Sequence, residues 1–270
     1  MSPRQVLSLS ALCVTALLAA PAVLAQGAYP SKPITLVVGY PPGGSTDLTG
    51  RTLGDALSRQ LGVPVVIENV GGAGGTIGAQ KVASAAPDGY TLLVGANNEV
   101  AISKLVTRTV KYDLKDFTPI GLIASQPMVL VASTTTGVKN LGEFIAKAKA
   151  APGKYSYGSS GVGTALHLAG EMVKERAGVF MTHIPYRGVA PLTSDLVGGN
   201  LEYGVFVLSS GLPHIKSGKV VALGTTEARR SPLTPDIPAL GEHPQLKGID
   251  IGTWFVLMGP ARLPEAVTTR

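Results

Sequence analysis

Three glycine-rich segments hold the residues best suited to chemistry. They are Pro41-Pro42-Gly43-Gly44-Ser45-Thr46, Gly71-Gly72-Ala73-Gly74-Gly75-Thr76 and Ser159-Ser160-Gly161-Val162-Gly163-Thr164. Each lies between a short apolar run and a stretch with helical spacing. A loop in that position presents unpaired backbone N–H groups at the positive end of a helix dipole, where a small anion is stabilised. One such loop would read simply as a tight strand-to-helix turn. Three of them, with Ser45, Thr46, Thr76, Ser159, Ser160 and Thr164 at the helix starts, point to an anion pocket.

Catalytic and cofactor motifs fit less well. The dinucleotide fingerprint G-x-G-x-x-G fails at Ile77 in the frame of Gly72 and Gly74, and at Ala73 in the frame of Gly75 and Gly78. The strand–loop–helix context still leaves a tolerant nucleotide reading open. The run Gly158-Ser159-Ser160-Gly161-Val162 lacks the last glycine of a nucleophile elbow, and no phosphate-binding G-x-x-x-x-G-K-[ST] occurs. His167, His183, His214 and His243 have no chelating spacing, so no metal site is expected. His167 lies one turn into the helix after the third loop, which suits a pocket wall or a core or capping role. Asp113 and Asp116 read as turn and cap residues. Binding without catalysis is the stronger reading, and no cofactor is expected.

The elements that must position these loops alternate regularly. Ile34–Val38, 65–67 and 91–94 read as strands, with helices from the first loop to about residue 61 and from the second to 83. Leu53, Ala56, Leu57 and Leu61 are expected on the first helix's inner face, with Ser45 or Thr46 as its N-cap. The scheme returns with strands at 128–131, 155–157, 181–184, 203–207, 220–223 and 251–257, and helices at 141–149, from the third loop to about 177, at 191–197 and at 212–216. Strands alternating with helices imply an α/β fold with a largely parallel sheet. Hydrophobic residues make up 45% of the 270-residue chain and charged residues 15%, enough to bury a substantial core. The formal charge of +6 is spread without a basic run, so no nucleic-acid partner is expected.

Residues 1–25 read as an export signal: Arg4, an apolar run from Val6 to Leu18, then Val23-Leu24-Ala25 before cleavage after Ala25. Cys13, the only cysteine, lies inside that run and does not fit a lipobox. The mature chain would carry no thiol, hence no disulfide and no cysteine nucleophile. At the other end, Leu263-Pro264-Glu265-Ala266-Val267 reads as a helix start one turn before the last residue, so a missing C-terminal segment is expected.

Several motifs stand together in order: Tyr29-Pro30-Ser31-Lys32-Pro33-Ile34, Pro42 to Asp47, Glu68-Asn69-Val70 followed by the second glycine loop, Asp88-Gly89-Tyr90-Thr91-Leu92, Asp116-Phe117-Thr118-Pro119 and Ile184-Pro185-Tyr186-Arg187-Gly188. As a set, over residues 29–270, the chain resembles the Bug family, periplasmic solute-binding components related to the tripartite tricarboxylate transporters. The resemblance implies two α/β lobes of the type II periplasmic-binding-protein (flytrap) architecture, each a mostly parallel sheet flanked by helices. Lobe 1 would comprise 26–125 plus 226–270, and lobe 2 residues 126–225. It implies a monomer that captures a small organic carboxylate for a membrane permease or a sensor ectodomain.

Carried over by motif, the ligand-binding residues would be Pro42, Gly43, Gly44, Ser45, Asn97 and Asn98 from the first lobe. Ser159, Ser160, Gly163, Thr164, Tyr186, Arg187 and Gly188 would close from the second. Arg187 is either a cation for a second carboxylate or a solvated charge. Many relatives carry Asp where this chain has Phe206, so an apolar wall is expected there. Glu99, in a loop where relatives carry small residues and His, would repel a carboxylate if it pointed inward. Two other readings remain: an exported α/β enzyme using the glycine loops for a nucleotide cofactor, and an adhesion or scaffold module.

Overall fold

A computed structural model describes residues 29–270; the export signal expected at 1–25 lies outside the described residues. Strands β1 (Ile34–Val38), β2 (Val65–Asn69) and β3 (Thr91–Ala96) run parallel in the order β2-β1-β3. Helix α1 (Ser45–Leu61) crosses from β1 to β2, and α2 (Thr76–Ala83) from β2 to β3, with a one-turn helix α3 (Ser103–Val106) beyond β3. These strands are apolar almost throughout because helices cover both faces. Ile34, Leu36 and Val38 are buried on one side, and Val37 and Leu93 on the other. Each such side chain contributes about 1.5–3 kcal/mol on leaving water.

A second sheet repeats the plan. β5 (Ser156–Ser159) lies parallel to β6 (Thr182–Pro185) and to β7 (Tyr203–Val207). Around it stand α4 (Leu141–Ala150), α5 (Ala165–Ala177), α6 (Val189–Gly198) and α7 (Leu208–Lys216). Two antiparallel strands join the sheets. β4 (Phe117–Ser133) pairs with β9 (Gly252–Pro260) along its first part, then with β7 and β8 (Val220–Thr225) from Met128 onward. The Thr226 hydroxyl accepts from Met128 N–H at that change of partner. The expected parallel pairing thus holds for the outer strands that carry the loops, and the centre is antiparallel. A final short helix, α8 (Glu265–Thr269), follows Pro264.

Three local expectations are corrected. The run 117–133 is one long strand; Pro119 and Gly121 flank a register shift, and a second lies between Leu122 and Ala124, so the strand bulges instead of ending. On α1, Leu53, Leu57 and Leu61 pack half-buried against the first sheet as expected, but Ala56 is exposed, and the fully buried contact is made by Gly50 and Gly54. A Cβ at Gly50 would stand 3.0 Å from Val38 and one at Gly54 3.1 Å from Ile67, so helix and sheet meet backbone to side chain. The N-cap of α1 is Gly44, with no side-chain cap. Residues between β8 and β9 pack Ile237, Leu240, Leu246 and Ile249 into the core of the second sheet.

Candidate functional site

The first glycine loop is held by a buried carboxylate. Asp47 Oδ2 accepts from Gly43 N–H and from Arg51 Nε, both at 2.9 Å, and Oδ1 accepts from Asn69 Nδ2 at 2.9 Å. Burial alone would raise its pKa, but these bonds outweigh burial and hold the carboxyl below its ordinary value. With Gly43 so anchored, the start of α1 faces the space between the sheets. Ser45 and Thr46 are each 5% exposed, and their hydroxyls have no hydrogen-bond partner among the described residues.

The second loop serves as support. Its backbone is left-handed from Ala73 to Gly75, and Gly74 O accepts from the Tyr40 hydroxyl at 2.8 Å. A Cβ at Gly75 would stand 2.9 Å from Glu99 Oε2. Beyond β3 the chain forms a wide helical turn, Asn98–Ile102, which turns Glu99 inward behind Tyr40. The Glu99 carboxyl is 1% exposed and accepts from Ala96 N–H at 2.8 Å and from the Tyr40 hydroxyl at 3.0 Å. With no cation bonded to it, burial pushes its pKa up to about 7. Asn97 turns toward β9, donating to Gly252 O and accepting from the Thr253 hydroxyl.

From the second sheet, the third loop is closed on itself. The Thr164 hydroxyl caps α5 by accepting from His167 N–H and donates to Gly161 O. The Ser159 hydroxyl pairs with Gly161 O at 3.1 Å and with His183 Nε2 at 2.7 Å. Gly163 N–H donates to His167 Nδ1 at 3.1 Å. The rings of His167 and His183, far apart in sequence, stack with centroids 4.0 Å apart. Burial is the main cause that lowers both imidazoles, His183 to about 4. Ser159 is fully buried and lines neither of the spaces described next, so its contact with His183 has no access to a substrate. Among the described residues no group of His, Asp and Glu can hold a metal ion.

Between the loops lies a tight inner cavity. Gly44, Ser45 and Thr46 line it from α1, Ser160 and Leu166 from around the start of α5, and Val189 from the start of α6. Ala96, Asn98, Val207, Thr253, Phe255 and Tyr40 complete the wall. No charged side chain lines it. Its positive potential comes from three helix N-termini of 17, 13 and 10 residues. Tyr40 and Ser160 also border an outer cleft of about 310 Å³, walled by Gly72–Gly75 on one side and by Pro185, Tyr186, Arg187 and Gly188 on the other.

Of the expected ligand residues, Gly44, Ser45, Asn98 and Ser160 thus reach the inner cavity, and Tyr186, Arg187 and Gly188 reach the outer cleft. Tyr186 donates to Asp195 at 2.7 Å, and burial with that bond pushes its pKa up to about 12. Pro42 and Gly43 are exposed and line neither space, Gly43 facing Ala190 of α6, while Asn97, Ser159, Gly163 and Thr164 brace the loops from behind. Phe206 is fully buried against Gly211 and Val129, so it forms no wall. Its neighbour Val207 does, because alternate residues of a strand face opposite sides. By the same alternation Thr253 and Phe255 face the cavity and Trp254, between them, turns to the core on the other side of β9. Glu99, feared as an inward charge, stands behind Tyr40. Asp113 caps the turn at Leu114–Asp116, as expected.

Known proteins share this fold. Residues 49–270 match the model of the tripartite tricarboxylate transporter family receptor. Protein BugT of Bordetella pertussis is 35% identical over 91% of this chain and 75% of its own. Among solved structures, Rpa4515 of Rhodopseudomonas palustris with adipate superposes with a TM-score of 0.87 at 33% identity, over 89% of this chain and 81% of that one. MatC of the same organism with bound malate gives 0.83 at 31%, over 89% and 82%. No helix among the described residues is long and apolar enough to cross a membrane.

Proposed function

The chain belongs to the tripartite tricarboxylate transporter receptor family, and from that premise we propose that it is a periplasmic solute-binding protein that captures a small organic carboxylate. The observation that carries the reading is the start of α1. The hydroxyls of Ser45 and Thr46, on otherwise buried residues, open onto the cavity without a protein partner beside the unpaired N–H groups of a 17-residue helix, and no charged side chain lines that cavity. A carboxylate satisfies those donors and is stabilised by the dipole. The adipate and malate bound by two structural relatives belong to the same chemical class.

In this reading the two sheets are two lobes that close over the ligand. The first holds residues up to about 125 together with β9, and the second holds the rest, with the segment between β8 and β9 riding on it. Antiparallel β4 and β9 form the crossing. Arg187, exposed at the outer cleft, attracts the anion on approach. The closed protein, a monomer, hands its ligand to a membrane permease or to a sensor ectodomain, and residues 1–25 direct export.

Isothermal titration of the mature protein with mono- and dicarboxylates, aromatic acids and NAD tests this. A carboxylate binds and NAD does not. Hydrogen bonds to a charged group are worth about 1.5–3 kcal/mol each, so Ser45→Ala with Thr46→Val weakens the carboxylate by at least about tenfold. Binding of NAD alone, or unchanged affinity in the double variant, would overturn the proposal.

A further inference from the structure

Asn98 is the one side chain among the described residues that hydrogen-bonds from the 29–116 segment to the 128–251 segment. Its Oδ1 accepts from Ala165 N–H, the first of α5, at 2.7 Å. Its Nδ2 donates to the Tyr40 hydroxyl at 2.8 Å. That second bond decides which end of the carboxamide meets α5. Tyr40 is fixed in turn by Gly74 O and Glu99 Oε2. Asn98 therefore supplies from within the chain, and without charge, the acceptor that an anion would supply at this helix start.

The acid behind it reinforces the effect. The groups that face Glu99 are the Tyr40 and Tyr112 phenols, the Ala96 N–H and the Gly74–Gly75 backbone; no cationic side chain bonds to it. Once ionised, it sets an uncompensated negative charge at the Asn98 end of a cavity whose lining carries none. Ser45 and Thr46, which line the same cavity, keep their donors open.

We propose that Asn98, positioned by Tyr40 and backed by Glu99, makes the cavity one-ended: a carboxylate is accepted at Ser45 and Thr46, and an uncharged ligand end is required at Asn98. The ligand class is a monocarboxylate whose neutral tail lies against Leu166, Val207 and Phe255. A dicarboxylate short enough to lie wholly inside is rejected. This deepens the carboxylate reading and rests on it.

The test is titration calorimetry of the mature protein with matched pairs, propionate with malonate and butyrate with succinate, at pH 6 and pH 8. The monocarboxylate of each pair binds at least about tenfold tighter to the wild type. In Asn98→Ala the gap closes to within about threefold, through tighter dicarboxylate binding. Glu99→Gln keeps the shape of the neutral acid, so it narrows the gap at pH 8 and leaves it unchanged at pH 6. Equal affinities within each wild-type pair, or a ratio moved by neither variant, would overturn the inference while leaving carboxylate binding intact. Binding of no acid in either series would overturn the carboxylate reading and this inference together.

Discussion

Replacing Glu99 by glutamine exposes the energetic cost of the buried acid. In the fold its pKa rises from 4.5 to about 7, chiefly by burial, while in the unfolded chain it titrates near 4.5. Between those values the folded protein holds a proton that the unfolded chain has released. Stability from this group is complete below about pH 4.5, declines as pH rises to about 7 and is level above that. At 1.36 kcal/mol per unit, the ionised acid costs about 3 kcal/mol at pH 8. Glu99→Gln mimics the protonated state, because the Tyr40 hydroxyl can then donate to Gly74 O. Thermal unfolding followed by circular dichroism at pH 5 to 8 gives matching melting points at pH 5. At pH 8 the variant melts about 6–12 °C higher. His167 and His183, lowered in the fold, tilt stability the other way, since the unfolded chain takes up their protons first as pH falls below 6.5. They are common to both proteins and cancel in the difference. A difference curve flat from pH 5 to 8 would refute the reasoning.

Three further outcomes follow from the geometry. Phe206→Ala costs about 3–5 kcal/mol in urea unfolding and leaves the rank order of carboxylates unchanged, whereas Val207→Ala reorders the ranking at a smaller cost; the reverse pattern would mean that the faces of β7 are misassigned. Gly188 has φ +103°, and a Cβ there would stand 3.1 Å from Pro41 across the cleft. Gly188→Ala therefore strains the closed form by about 1–3 kcal/mol, seen as weaker ligand binding by calorimetry, and undiminished affinity would contradict it. As pH is lowered from 6.5 toward 4, the melting point of His183→Asn rises relative to that of the wild type; a difference that stays constant would rule the imidazole out as its source.

The loops and their strands were legible because glycine, hydroxyl residues and apolar runs each report a local constraint. Ile34–Val38 and 203–207 come out residue for residue. What was not legible depends on partners distant in the chain. Pro119 and Gly121 fall in no expected strand, and only their pairing with β9 shows that they sit in one as a bulge. His167 and His183 meet only because α5 and β6 flank the same strand, a relation no spacing rule contains. Phe206 against Val207 is a question of parity, and a one-residue ambiguity exchanges wall for core. Glu99 is an acid in the sequence and reads as repulsive; only its burial behind Tyr40 changes its protonation. Thr253 and Phe255 were missed since β9 returns to the cavity more than 200 residues after Tyr40.

The placement of Trp254 also gives the molecule a built-in optical probe. It is the only tryptophan in the chain, and it sits on β9 between two residues that touch the cavity, with its indole in the core on the opposite face. Light emitted on excitation at 295 nm therefore comes from a single chromophore one strand thickness from the bound solute. On the proposed closure, any flexing of β9 against β4 alters the indole's surroundings and hence its emission. Capture and release can be timed by stopped flow on the unlabelled protein, without engineering a dye into a chain whose sole thiol is Cys13.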